Sequence, residues 1–154
     1  MNNALKQNIY QADGRYFTDV ELGVLDGYCQ TYPARLQTYN ILCEKADTLV
    51  EQALQKLAQT DGAVVTTHKE ACVRDMNYVL RSVAIAILKD DHEGFRQQLV
   101  LWMQNIMAAL RKEAQSAKAY MFLQDVVKVS MPVESAKLVN DTLDEFIRAL
   151  TVGA

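Results

Sequence analysis

Eleven consecutive residues, Ala71-Cys72-Val73-Arg74-Asp75-Met76-Asn77-Tyr78-Val79-Leu80-Arg81, carry the densest chemistry in the chain. On a helix, Cys72 and Asp75 are separated by about 60°, so a thiol and a carboxylate share one face. Tyr78 follows Asp75 by three residues and extends that face with a phenol. Arg74 and Arg81 lie seven residues apart and nearly superpose along one edge. The segment therefore offers one soft nucleophile, one anion, one phenol and flanking guanidinium groups. The pattern alone also has a plainer meaning. A mid-helix cysteine beside alanine is ordinarily a small buried hydrophobe, and neighbouring Arg and Asp are ordinarily solvated.

Other residues invite the same comparison. His68 and His92 stand at helix starts, and neither has a second ligand four residues on. Surface histidines are expected, with coordination of a tetrapyrrole metal as the alternative. Trp102, Met103, Ile106 and Met107 fall at helical spacing and read as a core stripe, with the lining of a ligand cavity as the alternative. Cys29 and Cys43 read as packing residues. Arg111, Lys112 and Lys118 read as a solvated face, with an acidic partner as the alternative. No Ser/His/Asp arrangement, phosphate loop or pair of catalytic carboxylates is recognisable, so an enzyme is not expected.

These residues must be positioned by helices. Of 154 residues only Pro33 and Pro132 are prolines, and no alternating strand pattern is convincing. A short amphipathic helix is expected over roughly 3–13, with Leu5, Ile9 and Tyr10 on one side and Asp13-Gly14 ending it. Thr18-Asp19-Val20-Glu21 is a capping box that opens a helix to about residue 31, with Val20, Val24, Leu25 and Tyr28 inward. Pro33 restarts the chain at a first-turn position. Residues 34–59 then read as one long helix or two nearly continuous ones. Residues 60–67 form the clearest loop, followed by helices over about 68–89, 94–112 and 113–129, and a last one opened by Pro132. Ala109 to Glu113 reads as helix without a turn.

Seven or eight helices in one layered all-α domain are compatible with globin-like packing rather than a simple four-helix bundle. Sixteen basic against nineteen acidic residues give a net charge of −3, which argues against nucleic acid as the main partner. The longest apolar stretch, Val83 to Leu88, is far short of the roughly 20 residues of a membrane span. The N-terminal residues lack the apolar run of a secretion signal, so a cytoplasmic location is expected. Three cysteines with no CxxC spacing predict reduced thiols rather than disulfides or a zinc site.

The segment Ala71–Arg81 resembles the chromophore-attachment helix of phycobiliproteins, the allophycocyanin and phycocyanin family, whose usual form is Ala-Cys-(Leu/Ile)-Arg-Asp-(Leu/Met)-x-x-x-Leu-Arg. Ala12-Asp13-Gly14-Arg15-Tyr16-Phe17-Thr18, followed by Glu21-Leu22, resembles the family's opening of its first globin-like helix. Glu134-Ser135-Ala136 through Leu143-Asp144-Glu145-Phe146 resembles its final helix. The resemblance implies a globin-like domain over 17–154 and an N-terminal helical extension over 1–16 that pairs subunits. It implies a covalent bilin, a phycocyanobilin-type linear tetrapyrrole, on Cys72. Arg74 would match the propionate-binding arginine, Asp75 the carboxylate that accepts pyrrole N–H bonds, and Arg81 the motif's second arginine. A homo- or hetero-dimer with a phycobiliprotein-like subunit would follow, with phycobilisome core or linker proteins as further partners and a place on the cytoplasmic face of the thylakoid membrane.

The sequence also departs from the family's pattern. The stretch between Leu57 and Cys72 is shorter by several residues. Ile85 replaces a tyrosine thirteen residues past the cysteine, Lys89-Asp90-Asp91 replaces Ala-Gly-Asp, and the Glu-x-Tyr-x-x-Leu-Gly-x-Pro segment is absent. These differences favour a divergent paralogue. Its alternative role is in phycobilisome or photosystem assembly, turnover or tetrapyrrole handling, with little or no covalent bilin.

Overall fold

A computed structural model describes residues 1–152, and among them no strand occurs. The elements are α1 (Asn3–Gln11), α2 (Asp19–Lys89), α3 (His92–Phe95), a π-helical turn (Arg96–Val100), α4 (Leu101–Leu110), α5 (Glu113–Ser130) and α6 (Val133–Val152). The all-α, globin-like class read from the sequence holds.

Two caps set the N-terminal region. The Asn2 side chain accepts from the Leu5 amide at 2.9 Å, and the capping box of Thr18 and Glu21 opens α2. Glu21 accepts from the Thr18 amide at 2.8 Å and from both terminal nitrogens of Arg15 at 2.7 and 2.9 Å. The Arg15 hydrogen bonds, then the Thr18 amide, hold the Glu21 carboxyl at about 2. Within α1 only Leu5 is buried, while Ile9 and Tyr10 are exposed rather than packed with it. Of the residues expected inward on early α2, Val24, Leu25 and Tyr28 are half-buried. Val20 is 80% exposed.

Pro33 does not restart the chain. It lies inside α2, with no break in helical dihedrals around it. The missing amide costs an intrahelical bond, and Arg35 braces this stretch. Its buried guanidinium donates to the Tyr28 carbonyl at 2.7 Å and to Thr31 Oγ1 at 3.2 Å, stacks 4.2 Å over the Tyr28 ring, and donates to the Leu88 carbonyl at the far end of α2.

That last bond shows that α2 folds back on itself. Its two arms, 19–60 and 69–89, lie antiparallel, with Tyr39 and Leu42 near Leu80 and Ala84, and Ala46 near Asn77. The loop expected at 60–67 is instead a helical corner. Only Asp61 (φ −137°, ψ 48°) and His68 (φ −127°, ψ 20°) leave helical geometry. Thr66 and Thr67 hydroxyls donate to the Gly62 and Ala63 carbonyls at 2.8 Å, and Val65 is buried, so a polar Thr-Asp-Gly sequence is still drawn into helix.

The expected helix over 94–112 is also divided. Asp91 caps α3 through the Gly94 amide at 3.1 Å, and the π turn then buries Leu99 and Val100 together. Of the expected stripe Leu99, Met103, Ile106 and Leu110, the first two are buried. Ile106 is half-buried and Leu110 exposed. The helix does not run through Ala109–Glu113: Arg111 is left-handed (φ 53°, ψ 44°) and separates α4 from α5. Helices α5 and α6 form a hairpin over α2. Leu123, Val127, Val139, Leu143 and Phe146 fill the core with Val79, Leu80 and Val83. Each fully buried side chain of this kind contributes about 1.5–3 kcal/mol.

Candidate functional site

The 69–89 arm starts at the His68 kink, so Cys72 and Asp75 occupy its first turns and face α5. They open into one cavity of about 280 Å³, whose wall includes Leu57, Asp61, His68, Met107, Lys112 and Tyr120. A second cavity, of about 480 Å³, is lined by Tyr78, Arg81, Trp102, Met103 and Ile106. Arg74, Asp75, Met107 and Leu110 belong to both, so the two form one cleft with Asp75 at its middle. The five residues singled out in the sequence thus line a common cleft: Cys72 at one end, Tyr78 and Arg81 at the other, Arg74 and Asp75 between.

The Cys72 thiol is half-buried, and burial pushes it up, with the Asp75 charge adding and Lys112 opposing. Arg74 donates to Asp75 at 2.9 Å, and both side chains keep substantial exposure. Tyr78 stands edge-on to Trp102, with ring centroids 6.4 Å apart at 67°. Below Cys72, Tyr120 packs edge-on to Phe146 at 4.7 Å, and its phenol is pushed strongly upward by burial first, then by the charges of Asp75 and Cys72. At the corner, Lys118 donates to Asp61 at 2.5 Å and, with the Thr60 hydroxyl, holds that carboxyl low.

Several sequence expectations change here. Trp102 is half exposed, and with Ile106 and Met107 it walls the cleft; only Met103 of that group is core. Cys29 and Cys43 are exposed rather than packed, and Cys43 borders the groove between the two arms with Leu42, Leu80 and Ala84. Lys112 is half-buried in the cleft wall and Lys118 is ion-paired, so the basic face is not simply solvated. Both histidines are exposed as expected, but only His68 lines the cleft, which gives a tetrapyrrole metal no pair of axial ligands. Among the described residues no cluster of three or more His, Cys, Asp or Glu could hold a metal ion. Tyr120 and Lys112 also line the cleft, although the sequence marks the first only as core and the second only as part of a basic face. A phenol inside the aliphatic stripe Ala117, Leu123 and Val127 is the signal that marks Tyr120.

The profile of the phycobilisome protein family matches residues 7–150. The chain belongs to this family. It is similar to the allophycocyanin subunit beta-18 of Cyanophora paradoxa, at 24% identity over 94% of this chain and 82% of that one. It is also similar to a putative allophycocyanin subunit alpha 2 of Nostoc sp., at 25% over 90% and 92% respectively. Against the allophycocyanin beta chain of Porphyra purpurea the identity is 29% over 59% of this chain and 62% of that one. Identities this low mark a divergent phycobiliprotein, and its attachment-type segment is the stretch that lines the cleft. No helix among the described residues is long and apolar enough to cross a membrane.

Proposed function

We propose that this phycobiliprotein carries a linear tetrapyrrole in the cleft, joined to Cys72 by a thioether, and that it serves light harvesting or excitation energy transfer. One observation carries the reading: Cys72 and Asp75 open into a cavity that continues past Arg74 and Asp75 into a second. The shape is elongated, with apolar walls from Ile106, Met107 and Leu110 and charged groups from Arg74, Asp75, Arg81 and Lys112, and the larger cavity is in the ~300–1,000 Å³ range of ligand sites. Such a donor set fits the chemistry of a bilin.

When bound, the pigment supplies visible absorption through its conjugated rings. The remaining work is the chain's own. Cys72 anchors one end. Arg74 and Arg81 present guanidinium forks suited to carboxylates. Asp75 accepts N–H bonds and favours a cationic conjugated system beside it. Tyr78, held against Trp102, restricts ring motion at the far end. The present Arg74–Asp75 pair is exposed and contributes only ~0–1 kcal/mol, so exchanging it for ligand contacts costs little. No reaction is catalysed in this role. A dimer with a like or unlike phycobiliprotein subunit, on the cytoplasmic face of the thylakoid membrane, completes the reading.

The second reading is a non-antenna paralogue acting in phycobilisome or photosystem assembly, turnover or tetrapyrrole handling. It is favoured by a thiol that burial and Asp75 keep protonated. Co-production with a phycocyanobilin source, followed by zinc-enhanced fluorescence of the denatured band, separates the two. Covalent pigment is expected in the parent protein and absent in Cys72→Ala. An unlabelled parent, or a labelled Cys72→Ala, overturns the attachment.

A further inference from the structure

The cavity around Cys72 contains a second group that the pigment-binding set does not use. His68 is the kink residue that begins the 69–89 arm, four positions before Cys72, and both side chains line the same cavity. The kink takes His68 out of helical geometry, so the shared cavity wall, and not helix spacing, is what brings the two together. We propose that His68 is the proton acceptor that activates Cys72 for addition to a conjugated alkene, which rests on the thioether reading above.

The argument is by what the cavity holds. A thiol must lose its proton to become a nucleophile. Around Cys72 the charged and titratable groups are Arg74 and Asp75 on its own arm, Asp61 on the other side of the corner, and Lys112 and Tyr120 from α5 and its lead-in. Ammonium and guanidinium groups have no lone pair to accept a proton. The Asp61 carboxylate is committed to Lys118 at 2.5 Å and to the Thr60 hydroxyl at 3.0 Å. The Asp75 carboxylate is committed to Arg74, and its charge opposes thiolate formation. The buried Tyr120 phenol holds its proton far above neutrality. Imidazole is the one side chain in the wall that ordinarily takes and returns a proton near pH 7.

The step balances without an oxidant or reductant. The Cys72 proton passes to an imidazole nitrogen, directly or through one water. The sulfur electron pair forms the S–C bond to the electrophilic carbon of the alkene, and the alkene π pair moves to the neighbouring carbon. That carbon takes the proton back from the imidazolium.

The test needs no pigment. In a Cys29→Ser, Cys43→Ser background, Cys72 is the sole thiol, and its addition to N-ethylmaleimide is followed from pH 5.5 to 9.5. With His68 present, the rate near neutral pH should exceed that of an unassisted thiol. His68→Gln should lower it roughly tenfold or more at pH 7, within the range of general-base effects, with the two profiles converging at high pH. His68→Gly should regain rate on addition of free imidazole. Coincident profiles overturn the proposal, as does a loss equal at every pH without imidazole rescue. Because the probe is not a bilin, failure of pigment attachment and failure of His68 are read separately.

Discussion

Lys118 of α5 donates to the Asp61 carboxylate at 2.5 Å, and Asp61 is the residue at which α2 leaves helical geometry. The contact joins the corner of the α2 hairpin to the helix that carries Tyr120, and Asp61 lines the cavity that holds Cys72. Lys118→Met should therefore act on access more than on stability, since both side chains are partly exposed. We expect the thermal midpoint to change little and Cys72 to react faster with a bulky thiol reagent in a protein lacking Cys29 and Cys43. Reagent kinetics decide the matter: an unchanged Cys72 rate would mean the corner holds its shape without the ion pair.

Asp75 is expected to have opposite effects on the free and the loaded protein. Its negative charge raises the neighbouring thiol, so Asp75→Asn should lower the Cys72 pKa and speed its alkylation at pH 8 several-fold. In pigment-bearing protein the same change removes the carboxylate opposite the conjugated rings, and the long-wavelength band should weaken or move to the blue. Stopped-flow alkylation and an absorption spectrum give the two signs independently. A slower thiol in Asp75→Asn would contradict the electrostatic account.

The Glu21 carboxyl sets a pH window. Its value in the folded chain, about 2, lies below the ordinary value of 4.5, chiefly because of Arg15. A depressed folded value stabilises the fold above the unfolded value, and the benefit is lost as pH falls from about 4.5 towards 2. Thermal midpoints measured across that interval should fall for the parent and fall less for Glu21→Gln, with the two curves approaching at the acid end. Parallel curves would show that the Arg15–Glu21–Thr18 corner does not contribute.

Local signals in the sequence were reliable where one side chain closes one backbone group. The Thr18/Glu21 cap and the helix boundaries near 89 and 132 appear where the residue types require them, whereas the left-handed break at Arg111 does not follow from any local signal. Punctuation by Pro33 and Asp61-Gly62 was misleading, because tertiary bonds overrode it. Arg35 reaches 53 residues along the chain to Leu88, and Lys118 reaches 57 to Asp61. Neither partner is visible in a local pattern. Position 90 shows the reverse case. Asp90 sits left-handed (φ 52°) where the family pattern has glycine, and its carboxylate accepts from Asn2 at 2.7 Å, so the replacement also fastens α1. For the site, the 72–81 segment marks one wall of the cleft, while helical spacing leaves core stripe and cavity lining both open for Trp102, Ile106 and Met107 on the other. Trp102 and Ile106 line one cavity with Tyr78 and Arg81, and the π turn over Arg96–Val100 just before them is not visible in the periodicity.

The exposed apolar residues of the N-terminal region bear on assembly. Tyr10, Tyr16 and Val20 are 80% exposed or more, and Ile9 is half exposed, all within twelve residues of one another. Leu5 alone docks into the chain, and Asn2 and Lys6 tie α1 to Asp90 and Asp91 at 2.7 and 3.4 Å. Helix α1 is thus held in place by its own chain while its outer apolar side stays uncovered, which suits pairing with a second phycobiliprotein subunit. Deleting residues 1–16 should give monomer, but it also removes Leu5 and the Asn2 cap. Ile9→Lys combined with Val20→Lys leaves those contacts intact and should give monomer with an unchanged circular dichroism spectrum. Light scattering reads the mass of each protein. A parent that is monomeric at all concentrations, or a double variant that keeps the mass of a dimer, would remove this face from the interface.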